Sequence, residues 1–168
     1  MNNTKTNLMP NSINSATFWQ FSLKFYSDSK VAETLLHWQN HHHKNVNVCL
    51  LLLYLNQQHF ELSSSHLTEL INTLGPFNLT FTQPLRTLRI QLKQHSDLPH
   101  YQAMRTQLLA TELQFEQQEQ QLLIDKLIEF KLGSTSTPDN LSLYINKDLQ
   151  CAKTDLNQTL LQLKQSAE

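Results

Sequence analysis

Two sets of charged residues in this chain share one spacing in opposite directions. Arg86, Arg89 and Lys93 follow one another at intervals of three and four, whereas Glu112, Glu116 and Glu119 follow at four and three. On two antiparallel helices such sets point at one another, because residues three and four apart share a helix face. Three chemistries fit that meeting of acids and bases. The plainest is a structural salt-bridge layer that fixes helix register. Three carboxylates at i, i+4 and i+7 beside arginines can instead hold a divalent cation or an acidic metabolite. Paired carboxylates can also act as general acid and base. Di-metal helical bundles draw Glu-x-x-His motifs from two helices, and no such motif occurs here.

The wheel around Glu112 makes the layer an inward one. At about 100° per residue, Tyr101, Arg105, Leu108, Leu109, Glu116, Glu119, Leu123, Lys126, Leu127 and Phe130 fall within roughly 60° of it. The opposite side collects Ala103, Thr106, Gln107, Ala110, Gln114, Gln117, Gln118, Gln121 and Asp125. Glutamates on the apolar side and glutamines on the wet side invert the usual pattern, and inward carboxylates need cations or donors as partners. A hairpin turning near Ser96 puts Arg86 opposite about Leu108, one turn or roughly 6 Å short of Glu112, which an arginine can bridge. Arg86–Glu112 is therefore the expected contact. Glu119 lies about 12 Å further along and calls for Lys126 or another helix.

Other reactive residues are less organised. His37 and His41 have the i, i+4 spacing of a chelate, but His41, His42 and His43 close a helix, where imidazolium complements the negative dipole end without a metal. Asn47 heads an apolar segment, where it is expected to cap backbone or, alternatively, to reach the Arg/Glu layer. Cys49 sits deep in an apolar run, unlike a reactive thiolate, and no G-x-S-x-G elbow is present. No catalytic residue, metal ligand set or cofactor is assigned.

The elements that must position this layer read as helices throughout. A polar tail over residues 1–13 is expected to be disordered, followed by one helical domain over 14–168. Asn14 or Ser15 caps a first helix to about Ser27, carrying Phe18, Phe21 and Phe25; Ser29 caps a second to about His42. Val46 to Gln57 is leucine-dominated and apolar on every side, the mark of a central helix surrounded by protein. Ser63 to Ser65 cap a fourth helix that Gly75-Pro76 closes. Another helix starts near Thr82, with Pro84 in its first turn. Ser96-Asp97-Leu98-Pro99 restarts the chain into a long helix to about Leu132. Residues 133–138 form a linker, and helices near 138–148 and 154–165 end the chain. The class is all-α: a bundle of about six to eight helices around a buried central one.

Composition closes several options. The formal net charge of −1 gives no reason to expect nucleic acid or an anionic membrane as partner. Two glycines in 168 residues exclude glycine-rich phosphate loops. Two distant cysteines read as free thiols in a reducing cytoplasm. The polar start has no signal-peptide pattern, and the apolar run Val48 to Leu55 is too short to span a bilayer.

Several segments carry a resemblance. These are Phe18-Trp19-Gln20-Phe21-Ser22-Leu23-Lys24-Phe25-Tyr26; Leu35 to Tyr54, with Trp38-Gln39 and Asn45-Val46-Asn47-Val48-Cys49-Leu50-Leu51-Leu52; Pro84-Leu85-Arg86-Thr87-Leu88-Arg89-Ile90-Gln91-Leu92-Lys93; Glu112-Leu113-Gln114-Phe115-Glu116-Gln117-Gln118-Glu119-Gln120; and Asn140-Leu141-Ser142-Leu143-Tyr144. As a set, over roughly residues 16–150, they resemble a family of uncharacterised Gram-negative bacterial proteins catalogued as domain of unknown function 2390. Departures are His41 to Lys44 in place of a glycine-containing turn, Ile90 in place of a second arginine, and Phe115 in place of a small residue. The resemblance implies a small cytosolic helical protein and transfers no reaction, cofactor or catalytic residue.

The expected role is that of a non-catalytic interaction or accessory protein, with another protein as its expected partner and the charged layer holding the bundle together. The alternative is a small helical enzyme or a metabolite- or metal-binding protein that uses Arg86, Arg89, Lys93, Arg105, Glu112, Glu116, Glu119 and Asn47. One observation separates them. An open cavity reaching Arg89 and Glu116 favours the binder, and mutual pairing without a void favours the scaffold.

Overall fold

The computed structural model describes residues 13–165. The fold is all-α. Helix α1 (Ser15–Tyr26) opens on a capping box in which the Asn14 side chain accepts from the Thr17 amide, and α2 (Ser29–His42) opens on Asp28, which accepts from Lys30 and Val31. The cap of α2 is thus Asp28, one residue before the expected Ser29, because a carboxylate answers two orphan N–H groups at once. Helix α3 (Val46–Gln57) is capped by Asn45 and runs through the middle of the protein. Its residues Asn47 to Leu55 are all buried, so the helix is covered on every side as its leucine-rich sequence requires.

The expected tail of residues 1–12 lies outside the described residues, and Ile13 corrects the remainder. It is 5% exposed and belongs to the core. Placed just before the Asn14 cap, it occupies the position from which an apolar side chain folds back onto the first turn.

The stop expected at Gly75-Pro76 does not occur. Helix α4 (Ser64–Phe77) runs through both residues, continues as a π-turn (Asn78–Thr82), and passes directly into α5 (Gln83–Leu92). No residue of Gly75 type was needed for a left-handed cap, since neither glycine has positive φ. The wide turn is sealed by a bond from the Gln83 amide to the Asn78 carbonyl, five residues back. Pro76 and Pro84 bracket this turn, so the bonds their missing N–H groups forfeit fall where the ladder is already being rearranged. Phe77, Phe81 and Phe115 pack ring against ring at 5.0–5.8 Å and hold the irregular stretch against the long helix.

After a 3-10 turn (Lys93–His95) the chain reverses at Ser96–His100 into α6 (Tyr101–Leu127). All the buried residues of α6 lie from Glu112 onward, and α5 has none. The tip of the α5–α6 hairpin therefore projects from the body. The wheel is right for the second half of α6 and wrong for the first, where Arg105 and Leu109 are exposed because no element covers the hairpin tip.

Beyond α6 the expected linker contains a two-residue strand. β1 (Phe60–Glu61) pairs antiparallel with β2 (Gly133–Ser134), so the chain is clipped there rather than free. Asn140 secures the next step: its Nδ2 donates to the Phe60 carbonyl (2.7 Å) and to Asn56 Oδ1 (2.9 Å), while the Leu62 amide donates to its Oδ1 (2.8 Å). The helix expected near 138–148 is two 3-10 turns, 140–143 and 147–149, leading into α7 (Gln150–Gln165). Among the described residues no helix is long and apolar enough to cross a membrane.

Candidate ligand-binding site

The π-turn is what aims the arginines. By absorbing one extra residue in a turn it resets the phase of the following helix by about one residue, roughly 100°. On an unbroken helix Arg86 would lie about 120° from the buried Leu74; the reset swings it and Arg89 back toward α6. There Arg86 donates from Nε to Glu112 Oε1 (2.9 Å) and from Nη2 to Glu116 Oε1 (3.0 Å). Arg89 donates from Nη2 to Glu112 Oε1 (3.2 Å) and from Nε to Glu112 Oε2. The expected Arg86–Glu112 contact is present, and Glu112 is 5% exposed.

Glu119 is served differently from expectation. Lys126 turns away to Glu69 (3.3 Å) and Glu129 (2.6 Å). The Glu119 carboxylate instead accepts from three asparagines: Asn47 (2.8 Å) and Asn45 (3.5 Å) on Oε2, and Asn78 of the π-turn (2.8 Å) on Oε1. It lies at the N-terminal turn of α3, where the helix dipole also favours an anion. Asn47 is therefore not a backbone cap; Asn45 takes that role through the Val48 amide, and Asn47 faces inward to the layer. Gln120 extends the network, donating from Nε2 to Asn47 Oδ1 (2.9 Å) and Ser22 Oγ (3.0 Å), while its own buried Oε1 has no partner among the described residues.

The two carboxylates nearest the arginines are driven apart in acidity. Burial pushes Glu112 up, but the hydrogen bonds and charge of Arg89 and Arg86 outweigh it and hold the group below the usual carboxylate range. Glu116 goes the other way: burial raises it, the Glu112 and Glu119 charges add to the rise, and Arg86 offsets only part. Tyr26, alongside, is raised by burial and then by Glu116.

This layer is not sealed. A groove of about 650 Å³ opens between α1, α2, α5 and α6, with the start of α3 as its floor, and it reaches Arg86, Arg89, Glu112 and Glu116. Trp19, Ser22 and Tyr26 line it from α1, and Asn47 and Gln120 from its floor. Five large apolar side chains on its walls, Leu23, Leu36, Ile90, Leu109 and Leu113, are each 37–50% exposed. A second cavity of about 480 Å³ lies on the other side of Arg86 and Ile90, lined by Lys44, Asn45, Asn78, Gln83 and Tyr144 among others.

Of the expected site residues, the structure brings together Arg86, Arg89, Glu112, Glu116, Glu119 and Asn47. Lys93 lines the groove but joins no ion pair among the described residues. Arg105 stands exposed on the uncovered half of α6 and does not belong to the layer. Trp19, Ser22, Tyr26, Asn78 and Gln120 were missed. Gln120 lies about 80° from Glu112 within a run of glutamines, and nothing in its type separates it from its solvated neighbours. Asn78 could not be placed while α4 was expected to end before it.

The histidines form no such centre. The His37 and His41 rings lie 4.7 Å apart, and His42 faces Asp148 at 3.6 Å. Among the described residues no group of three His, Cys, Asp or Glu side chains could hold a metal ion.

No curated protein and no solved structure matches the chain. The family model described as "Protein of unknown function (DUF2390)" matches residues 17–123, which span α1 through most of α6 and hence the entire Arg/Glu/Asn layer. On a match covering well over half of its length, the chain belongs to that family.

Proposed function

We propose that this chain is a non-catalytic cytoplasmic binding protein that seats a small ligand in the groove above the Arg/Glu layer. The observation that carries the reading is the groove itself: it is open, runs down to Arg89 and Glu116, and is ringed by five exposed apolar side chains. Exposed apolar surface is costly to keep without an occupant, and the volume is in the range of small-molecule pockets. Support for a non-catalytic role comes from the engagement of most of the reactive groups. Both Glu112 oxygens are taken by arginines, both Glu119 oxygens by asparagines, and burial pushes the Cys49 thiol up to about 12. Cys49 and Cys151 are both free, which suits a reducing compartment.

A scaffold that binds another protein, with the layer fixing register alone, draws support from the direct Arg86–Glu112 and Arg89–Glu112 pairing. That pairing leaves the open groove unexplained. A thermal-shift screen against divalent metals, phosphates and carboxylic acids tests the choice. A ligand that binds the folded state at 100 times its Kd stabilises it by about 2.7 kcal/mol and raises the melting temperature. A hit whose shift disappears on Leu113→Asp in the groove wall supports the binder. A screen without shifts overturns it in favour of the scaffold.

A further inference from the structure

Charge and shape in the groove point to one ligand class. Three cations line it, Arg86, Arg89 and Lys93, against two carboxylates, Glu112 and Glu116. Both oxygens of Glu112 are occupied by the arginines, and Glu116 is engaged by Arg86. Lys93 lies one turn past Arg89 with no carboxylate within ion-pair distance among the described residues. Among the described residues, Lys93 is thus the groove-lining charge that no ion pair offsets, and it stands at the end nearest the hairpin tip. Leu109, one turn before Glu112 on the antiparallel α6, lies toward the same end. From there to Gln120 the α6 wall runs about 16 Å. Leu113 of α6 and Trp19, Leu23 and Leu36 of α1 and α2 give the wall an apolar strip beside the polar Ser22, Gln39, Asn40 and Gln120.

We infer that the ligand of this groove is an amphipathic anion. Its carboxylate or phosphate head sits on Lys93 and Arg89, and its hydrocarbon or aromatic body lies along Trp19, Leu23, Leu36, Leu109 and Leu113. This rests on the binding role proposed above and adds the chemistry of the occupant. A cationic amphiphile would meet Lys93 and find Glu112 already taken. A neutral one would leave the Lys93 charge unused beside a hydrophobic body.

Trp19 provides the readout, because it stands in the groove wall whereas the other tryptophan, Trp38, is 1% exposed in the core. Decanoate and decyl phosphate are titrated below their micellar concentrations, with decanol and decylamine as neutral and cationic counterparts. One or both anions are expected to change the fluorescence saturably, at least tenfold more tightly than either counterpart, and the signal should vanish in Trp19→Phe. The stronger of the two anions identifies the head group. Lys93→Ala should weaken anion binding about tenfold, the scale of one charge-assisted contact, with the unliganded melting temperature unchanged. Equal or tighter binding of decanol or decylamine overturns the anionic class while leaving a binding protein. Silence of all four amphiphiles overturns it too. The binding role then falls only if the broader thermal-shift screen is also flat.

Discussion

Glu112→Gln and Glu116→Gln remove one charge each from carboxylates a single turn apart, and they should act in opposite ways. Glu112 accepts three hydrogen bonds from two guanidiniums, and its side chain is 7% exposed. An amide there retains one acceptor and turns an NH2 group against the second arginine. Hydrogen bonds to charged groups contribute about 1.5–3 kcal/mol each, and breaking a buried pair costs about 3–5 kcal/mol. Arg86 keeps Glu116, and the arginine side chains are 17% and 26% exposed, so solvent recovers part of the loss. The expected cost is about 3 kcal/mol. With a urea m-value of about 2 kcal/mol/M, the midpoint should fall by about 1.5 M. Glu116 accepts from Arg86 through one oxygen, which Gln preserves, and burial already disfavours its charge. Glu116→Gln should therefore be at least as stable as the parent. The assay is equilibrium urea unfolding of all three proteins by circular dichroism at pH 7. A Glu112→Gln midpoint within about 0.3 M of the parent would refute the reasoning, as would equal losses in both variants.

Three further outcomes follow. The folded-state pKa of Glu112 is depressed, so its stabilisation is present above the unfolded carboxylate range near pH 4.5 and lost as pH falls through the folded value; Glu116 is raised, so its contribution runs the other way and is lost as pH rises. Acid titration of stability should therefore be shallower in Glu112→Gln and steeper in Glu116→Gln, a comparison made by urea midpoints between pH 3 and 7. Asn47→Leu deprives Glu119 and Gln120 of partners in a buried network and should cost about 3 kcal/mol; a loss near zero in thermal unfolding contradicts the three-asparagine cradle. A thiol-reactive disulfide should modify one cysteine per native chain, the exposed Cys151, and a second only in denaturant, since Cys49 is buried and its thiol is pushed to about 12. Fast labelling of both in the native state counts against the packing of α3.

The central helix was legible because nine buried positions in a row leave a leucine-rich segment no other place, and its bounds, Val46 and Gln57, matched. Arg86–Glu112 was legible because two helices of known hand and one turn fix the register between them. The partners of Glu119 were not. They come from the start of α3 and from a π-turn, and the phase shift of a π-turn has no signature in hydrophobic spacing. Gly75-Pro76 carries the usual marks of a helix stop, yet tertiary packing by Phe77, Phe81 and Phe115 carries the helix through. The groove was beyond the sequence for a related reason. Leu109 reads as inward on a helical wheel, yet it lies on the half of α6 that no element covers and is 37% exposed.

Among the described residues, every left-handed backbone position is held without glycine. His43, His59 and His100 hold φ between 53° and 67°, whereas neither glycine has a positive value. Left-handed backbone costs an L residue about 1–2 kcal/mol, and histidine accepts it more readily than most. The protein thus carries three small, separate reserves of strain at its reversals, and His59 and His100 lie outside both cavities. An engineer seeking a hardier version would start at those two bends, where Gly relieves the crowding at the expense of a more disordered unfolded chain, and would leave the interior polar layer untouched.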